Sequence, residues 1–257
     1  MNQKMTSKIL IEKNGPVTTI IINRPEVRNA LDLEATALLA AAFDEFEHDP
    51  SAKVGVLWGA GGAFCAGADL KELAGGAAYE PWAGSADGPL RRPLNKPVIA
   101  AISGYACAGG LGVALWCDLR VAEESAMFAV LSRRWGVPMS DGTTVRLPRL
   151  IGMSNALDML LTARKVDAAK AEQMGLVNRV VPDGQSRAAA EELALVLAGF
   201  PQIAMLSDRQ SAYEQEALSL DAAIEREAEL SIQARLTEAE SGARRFASGL
   251  GRHGEPS

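Results

Sequence analysis

The stretch KPVIAAISGYACAGGLGVALWCDLRVA, residues 96–122, has no charged side chain between Pro97 and Cys117 and is long enough to cross a bilayer. Ser103, Gly104, Gly109, Gly110 and Gly112 interrupt it, however, and Asp118 follows directly. A buried strand (PVIAAISG), a turn of small residues and a helix beginning near Gly109 account for the same residues without a membrane. LRVA at 119–122 then reads as the next strand. Strand, turn, helix and strand in so short a span indicate an α/β architecture.

The pattern continues on both sides. Residues 8–13 and VTTIIIN at 17–23 read as strands joined through Asn14-Gly15, a strong hairpin signal. From Ala30 to about His48, Leu31, Leu38, Leu39, Ala42, Phe43 and Phe46 recur at helical spacing, and Pro50 lies beyond the end. VGVLWG at 54–59 and LVNRVV at 176–181 supply further core strands, and beyond residue 184 the pattern is almost wholly helical. Gly75 to Pro93, rich in Gly, Ala, Ser and Pro, reads as a mobile surface loop, either a gate or a plain connection.

Composition narrows the function. The chain has 257 residues, 48% hydrophobic and 23% charged, as expected of a folded domain and not of a disordered chain. Its 26 Lys and Arg against 32 Asp and Glu leave a net charge of −6. No nucleic-acid partner is expected, because neutralising phosphates takes clustered cations. Three cysteines, Cys65, Cys107 and Cys117, are too few for a disulfide framework, and two histidines argue against a zinc site. MNQKMTSKILIEKNG lacks the apolar core of a signal peptide, so a cytoplasmic protein with reduced thiols and no membrane segment is expected.

Two glycine-rich turns stand out, each between a strand and a helix: WGAGGAFCAGADLKEL at 58–73 and ISGYACAGGLGVALWCD at 102–118. Small residues let backbone approach a ligand, and a helix start offers unpaired N–H groups. Facing one another, such turns make an oxyanion hole; singly, they are only tight turns. Neither contains G-x-G-x-x-G or G-x-x-x-x-G-K-[ST], and no G-x-S-x-G elbow occurs.

NRPEVRNAL at 23–31, FCAGADLKEL at 64–73 and the 96–122 stretch resemble, in order, motifs of the crotonase (enoyl-CoA hydratase/isomerase) superfamily. RLPRLIGMSNALDMLLT at 146–162 and ARKVDAAKAEQMGLVNRVVP at 163–182 continue the resemblance over nearly the whole chain. It implies an α/β crotonase-like fold of repeated ββα units with a helical C-terminal region. Residues 1–184 would form the core with the CoA thioester site, and 185–257 a helical region for oligomerisation into homotrimers or hexamers. The implied substrate is an acyl-CoA, with coenzyme A part of that substrate and no separate cofactor or metal.

Family members stabilise a thioester enolate with two backbone N–H groups, whose positions match Ala68 and Gly109. Ala66, Ala68, Asp69, Leu70 and Lys71 match the segment along the CoA and acyl path, and Arg28 and Ala30 the loop at the nucleotide end. Arg28 and Lys71 would lend positive charge to a CoA phosphate. Hydratases of the family use two glutamates, at positions that here hold Gly112 and Ser132, so ordinary hydration lacks both carboxylates. Asp141, entering a Gly-Thr-Thr helix start, is the remaining acid/base candidate, and helix capping explains it equally. Trp135 either lines the acyl pocket or packs in the core. The expected protein is an acyl-CoA-processing enzyme whose catalytic groups are Ala68, Gly109 and Asp141, with isomerase-like enolate chemistry favoured over hydration. The alternative is an acyl-CoA-binding protein without catalysis.

Overall fold

The computed structural model describes residues 7–76, Trp82 and 88–249. The first strands are β1 (Ile9–Asn14) and β2 (Val17–Ile22), followed by helix α1 (Leu33–His48) and strand β3 (Val54–Gly59). Then come α2 (Leu70–Ala74), β4 (Val98–Ile102), β5 (Tyr105–Cys107), α3 (Gly109–Trp116), β6 (Leu119–Glu123) and β7 (Met127–Ala129). After α4 (Thr143–Ile151) and α5 (Met153–Thr162) the chain forms β8 (Val166–Asp167), α6 (Ala168–Gln173) and β9 (Arg179–Val181). Helices α7 (Ser186–Gly199), α8 (Gln202–Glu214), α9 (Leu220–Thr237) and α10 (Ala239–Ala247) complete it.

A six-stranded sheet runs β1-β2-β3-β4-β6-β9, antiparallel only between β1 and β2. Ile20 pairs with Leu57, Leu57 with Ala100 and Ala100 with Arg120, so the sheet's centre is apolar across three strands. Every residue of β2 and β4 is buried, as for strands covered on both faces. The buried polar groups of this layer are paired. Arg120 donates to the Leu176 carbonyl at 2.7 Å, and Glu123 accepts from the hydroxyls of Ser103 and Ser186 at 2.9 and 2.7 Å. A second sheet, β5-β7-β8, holds the short strands that the sequence pattern does not signal, because two or three residues carry no period.

Two boundaries differ from expectation. Asn14 pairs with Val17, so Gly15 and Pro16 form the hairpin loop, Gly15 supplying the positive φ and Pro16 needing no ladder N–H. Helix α1 starts at Leu33 rather than Ala30, since Arg28 and Asn29 are left-handed and the Asp32 carboxylate caps the helix through Ala35 N–H at 2.7 Å. In the expected loop, residues 77–81 and 83–87 lie outside the described residues. Beyond them Leu90 is buried, its N–H donating to the Trp82 carbonyl at 2.8 Å.

The chain divides into two compact units, one ending at Leu195 and the other beginning at Val196. In the second, Glu238 accepts from the first N–H groups of α8, Ile203 at 3.2 Å and Ala204 at 2.9 Å. In the first, Asn29 is the polar hub of the segment beside α1. Its amide donates to the carbonyls of Ala60 and Ala63 at 2.8 and 2.6 Å, and its oxygen accepts from Arg24 N–H at 2.8 Å. Asn29→Ala should cost about 3 kcal/mol in urea denaturation, because it strands buried backbone groups and keeps a left-handed backbone. A loss below about 1 kcal/mol would remove Asn29 from this role.

Candidate active site

Loop 24–31 lies alongside the first glycine-rich turn. Leu31 N–H donates to the Gly67 carbonyl at 2.8 Å, Asp69 N–H to Leu31 at 2.9 Å and Ala66 N–H to Arg28 at 3.1 Å. Arg24, nearly buried, braces the pair: its guanidinium meets Asp32 at 2.8 Å and Asp69 at 3.2 Å and also donates to the Ala30 carbonyl. Asp69 caps α2, accepting from Lys71 N–H at 3.1 Å.

The second turn packs onto the first with no room between them. Cys65 N–H donates to Tyr105 and Cys107 N–H to Cys65, both at 3.0 Å. Gly67 has φ +97°, and a β-carbon there would sit 2.8 Å from the Gly109 nitrogen, so both backbone shape and clearance demand glycine. Ala108, immediately before α3, holds φ 50° and ψ −123°, a strained conformation for a residue with a side chain. No backbone carbonyl among the described residues takes the N–H of Ala68 or Gly109.

Both turns open on a cavity of about 250 Å³. Of the residues singled out from sequence, Arg28, Ala66, Ala68, Leu70, Gly109, Trp135 and Asp141 line it, as does Ser132. Ala30, Asp69 and Lys71 are not among the lining residues: Ala30 is buried, Asp69 is the cap just described, and Lys71 is exposed on α2. Trp135 is 72% exposed, so it stands on the rim instead of in the core. The sequence reading missed Trp82, Tyr105, Cys107, Ala108, Leu131, Lys165 and the run Val137–Ser140. Most come from short strands or irregular chain, where no periodicity points inward. Tyr105 has two cations near its ring, Arg28 and Lys165, each 5.8 Å from the ring centre.

Asp141 is the one acidic side chain among the described lining residues. It is 3% exposed and accepts from Thr143 N–H at 2.9 Å, capping α4 from the position before Gly142. Burial pushes its carboxyl above the ordinary carboxylate range, although hydrogen bonding from Thr143 and the charge of Arg146 pull the other way. Arg146 donates to the Asp141 carbonyl at 3.0 Å and to the Leu90 carbonyl at 2.5 Å. Ser132 is buried, its hydroxyl donating to the Met139 sulfur at 3.3 Å. All three thiols are buried and shifted upward by desolvation, Cys65 to about 12 and Cys107 to about 11, which leaves them protonated and unreactive at neutral pH. Among the described residues no group of three His, Cys, Asp or Glu is arranged to hold a metal ion, and no single helix is long and apolar enough to cross a membrane.

The enoyl-CoA hydratase/isomerase family model matches residues 12–249. The chain belongs to that family. Enoyl-CoA hydratase EchA19 of Mycobacterium tuberculosis is 37% identical to it over 246 residues, 93% of this chain and 92% of that protein. Carnitinyl-CoA dehydratase of Salmonella enteritidis is 36% identical over 205 residues, 78% of each. The crystal structure of enoyl-CoA hydratase EchA1 from Mycobacterium marinum superposes with a TM-score of 0.87 at 33% identity, covering 94% of this chain and 96% of that one. The repeated β–α units followed by C-terminal helices are thus the crotonase fold, and the chain is an acyl-CoA enzyme of the hydratase/isomerase type.

The raised pKa has a consequence for stability. Below the unfolded value both states are protonated and Asp141 costs nothing. As pH rises from the unfolded value to the folded one, the unfolded chain ionises while the buried carboxyl keeps its proton, so stability falls, and the loss is complete above the folded value. Asp141→Asn, which keeps an acceptor for Thr143, should therefore raise Tm at pH 7.5 and change it little at pH 3.5. Equal shifts at both pH values in scanning calorimetry would contradict this.

Proposed function

We propose that this family member moves a proton on an acyl-CoA enolate with a single carboxyl group, Asp141. The observation that carries the reading is Asp141 itself, buried in the wall that also holds Ala68 and Gly109, with no second acid among the described lining residues. In this reading the N–H groups of Ala68 and Gly109 hold the thioester oxygen and stabilise it as negative charge develops; losing either would cost about 3–4 kcal/mol of transition-state stabilisation. The Asp141 carboxylate removes a proton from the α-carbon of a 3-enoyl thioester and returns it to the γ-carbon, leaving the 2-enoyl isomer. One carboxylate suffices for that transfer, whereas hydration also requires a group to hold and deprotonate water. Gly112 and Ser132, where family hydratases have glutamates, support the same choice. A carboxyl with a raised pKa is the stronger base for taking the α-proton, which suits Asp141 to the first step of this transfer.

Arg28 and Lys165, both near the Tyr105 ring, suit the phosphates of coenzyme A, and Leu70, Trp82 and Trp135 suit its uncharged arm. Exposed apolar residues on α9, Leu220, Ile224, Ile232 and Leu236, support subunit contacts through the C-terminal helices in a homotrimer or hexamer. Light scattering should then return three or six chain masses.

The deciding experiment incubates the protein in D2O with saturated, 2-enoyl and 3-enoyl CoA thioesters and follows label and isomer by mass spectrometry. Deuterium should enter the α-carbon and the double bond should move. Asp141→Asn should slow exchange at least about 100-fold while CoA-thioester affinity stays within about threefold. Unchanged exchange in that variant would exclude Asp141 as the base, and water addition by the native protein would exclude the isomerase reading.

A further inference from the structure

Gly112 lies in the first turn of α3, three residues after Gly109, and is fully enclosed. Three residues advance an α-helix by about 4.5 Å, so Gly112 lies one turn into α3 from Gly109, and the space a side chain on it would need is already occupied. What fills that space is the Asp141 carboxylate. A β-carbon on Gly112 would fall 2.6 and 2.7 Å from its two oxygens, closer than any side-chain carbon tolerates. The carboxylate has little freedom to retreat: it is buried, one oxygen is held by Thr143 N–H, and the backbone behind it is held by Arg146.

We infer that Gly112 is a specificity-determining residue: by lacking a side chain it yields the carboxylate position beside α3 to Asp141, and the two positions exclude one another. The active site therefore carries one carboxylate there, delivered from the start of α4, and has no room for a second from α3. This inference rests on the reading of Asp141 as the acid/base group and adds the reason that a glycine stands at 112. In a buried helix interior glycine is otherwise a poor choice, since alanine is the better helix former. The liability is explained if the missing β-carbon makes the room for the reacting group.

The test is a double-mutant cycle read in both stability and rate. Gly112→Ala alone should lower Tm by several degrees and reduce kcat for α-proton exchange at least tenfold, with KM within about threefold. In an Asp141→Ala background, where the obstructing carboxylate is gone, the same Gly112→Ala change should leave Tm level or raise it. Gly112→Glu combined with Asp141→Ala should recover at least tenfold of the exchange rate lost in Asp141→Ala, by supplying the carboxylate from the other side. A Gly112→Ala change that costs the same Tm in both backgrounds, or that leaves kcat untouched while Asp141→Asn is inactive, would overturn the inference and leave the acid/base reading standing. Full activity of Asp141→Asn would overturn the acid/base reading instead. Should Gly112→Ala fail to fold alone, its folding with Asp141→Ala supports the exclusion, and its failure there too overturns it.

Discussion

Everything at this site depends on two stretches of backbone touching without side chains between them. Residues 62–67 and 104–110 meet main chain to main chain: Gly67 against Gly109, Gly110 against the Cys65 carbonyl, Gly104 against Gly62. A β-carbon on Gly67, Gly104 or Gly110 would push the turns apart, because interiors are close-packed and cannot absorb even a methyl group without shifting. The abundance of Gly and Ala in these segments is thus a consequence of geometry. Loop 24–31 clamps the arrangement from outside through Arg24 and Asn29, whose hydrogen bonds replace those that the turns cannot make for themselves.

Such a site places conflicting demands on stability. Ala108 sits in a strained conformation at the point where α3 begins, and Asp141 is buried where ionisation is disfavoured. Both features cost folding free energy, and both lie on the cavity wall. The rest of the first unit offsets them with a sheet buried on both faces and with paired polar groups such as Glu123 between two serines. A rigid frame and a locally unfavourable site are two aspects of one design.

Much of this was legible in the sequence. The strands of the main sheet show as runs of branched apolar residues, and the glycine-rich turns show by composition alone. The capping role of Asp69 follows from its place ahead of a helix, as does that of Asp141. The small sheet β5-β7-β8, and with it the place of Tyr105, Cys107 and Lys165 on the cavity wall, is not legible in the sequence, because strands of two or three residues carry no pattern. The helix begins at Leu33 and not near Ala30, a difference composition does not mark, because two left-handed residues in succession, Arg28 and Asn29, leave little trace in it.

By itself the sequence determined what neighbours along the chain decide: hydrophobic period, turn residues, helix caps, and the ordered motifs that mark the family. It also shows Gly112 and Ser132, neither of them acidic, and Asp141. Only the tertiary structure decided how these facts are related. Gly112 and Asp141 are far apart in the chain, and nothing local connects a helix-interior glycine to a capping aspartate. Packing α3 against the start of α4 brings them to one place, where the volume missing from one residue is the volume the other's carboxylate occupies. Steric exclusion acts between atoms close in space, whatever their separation in sequence.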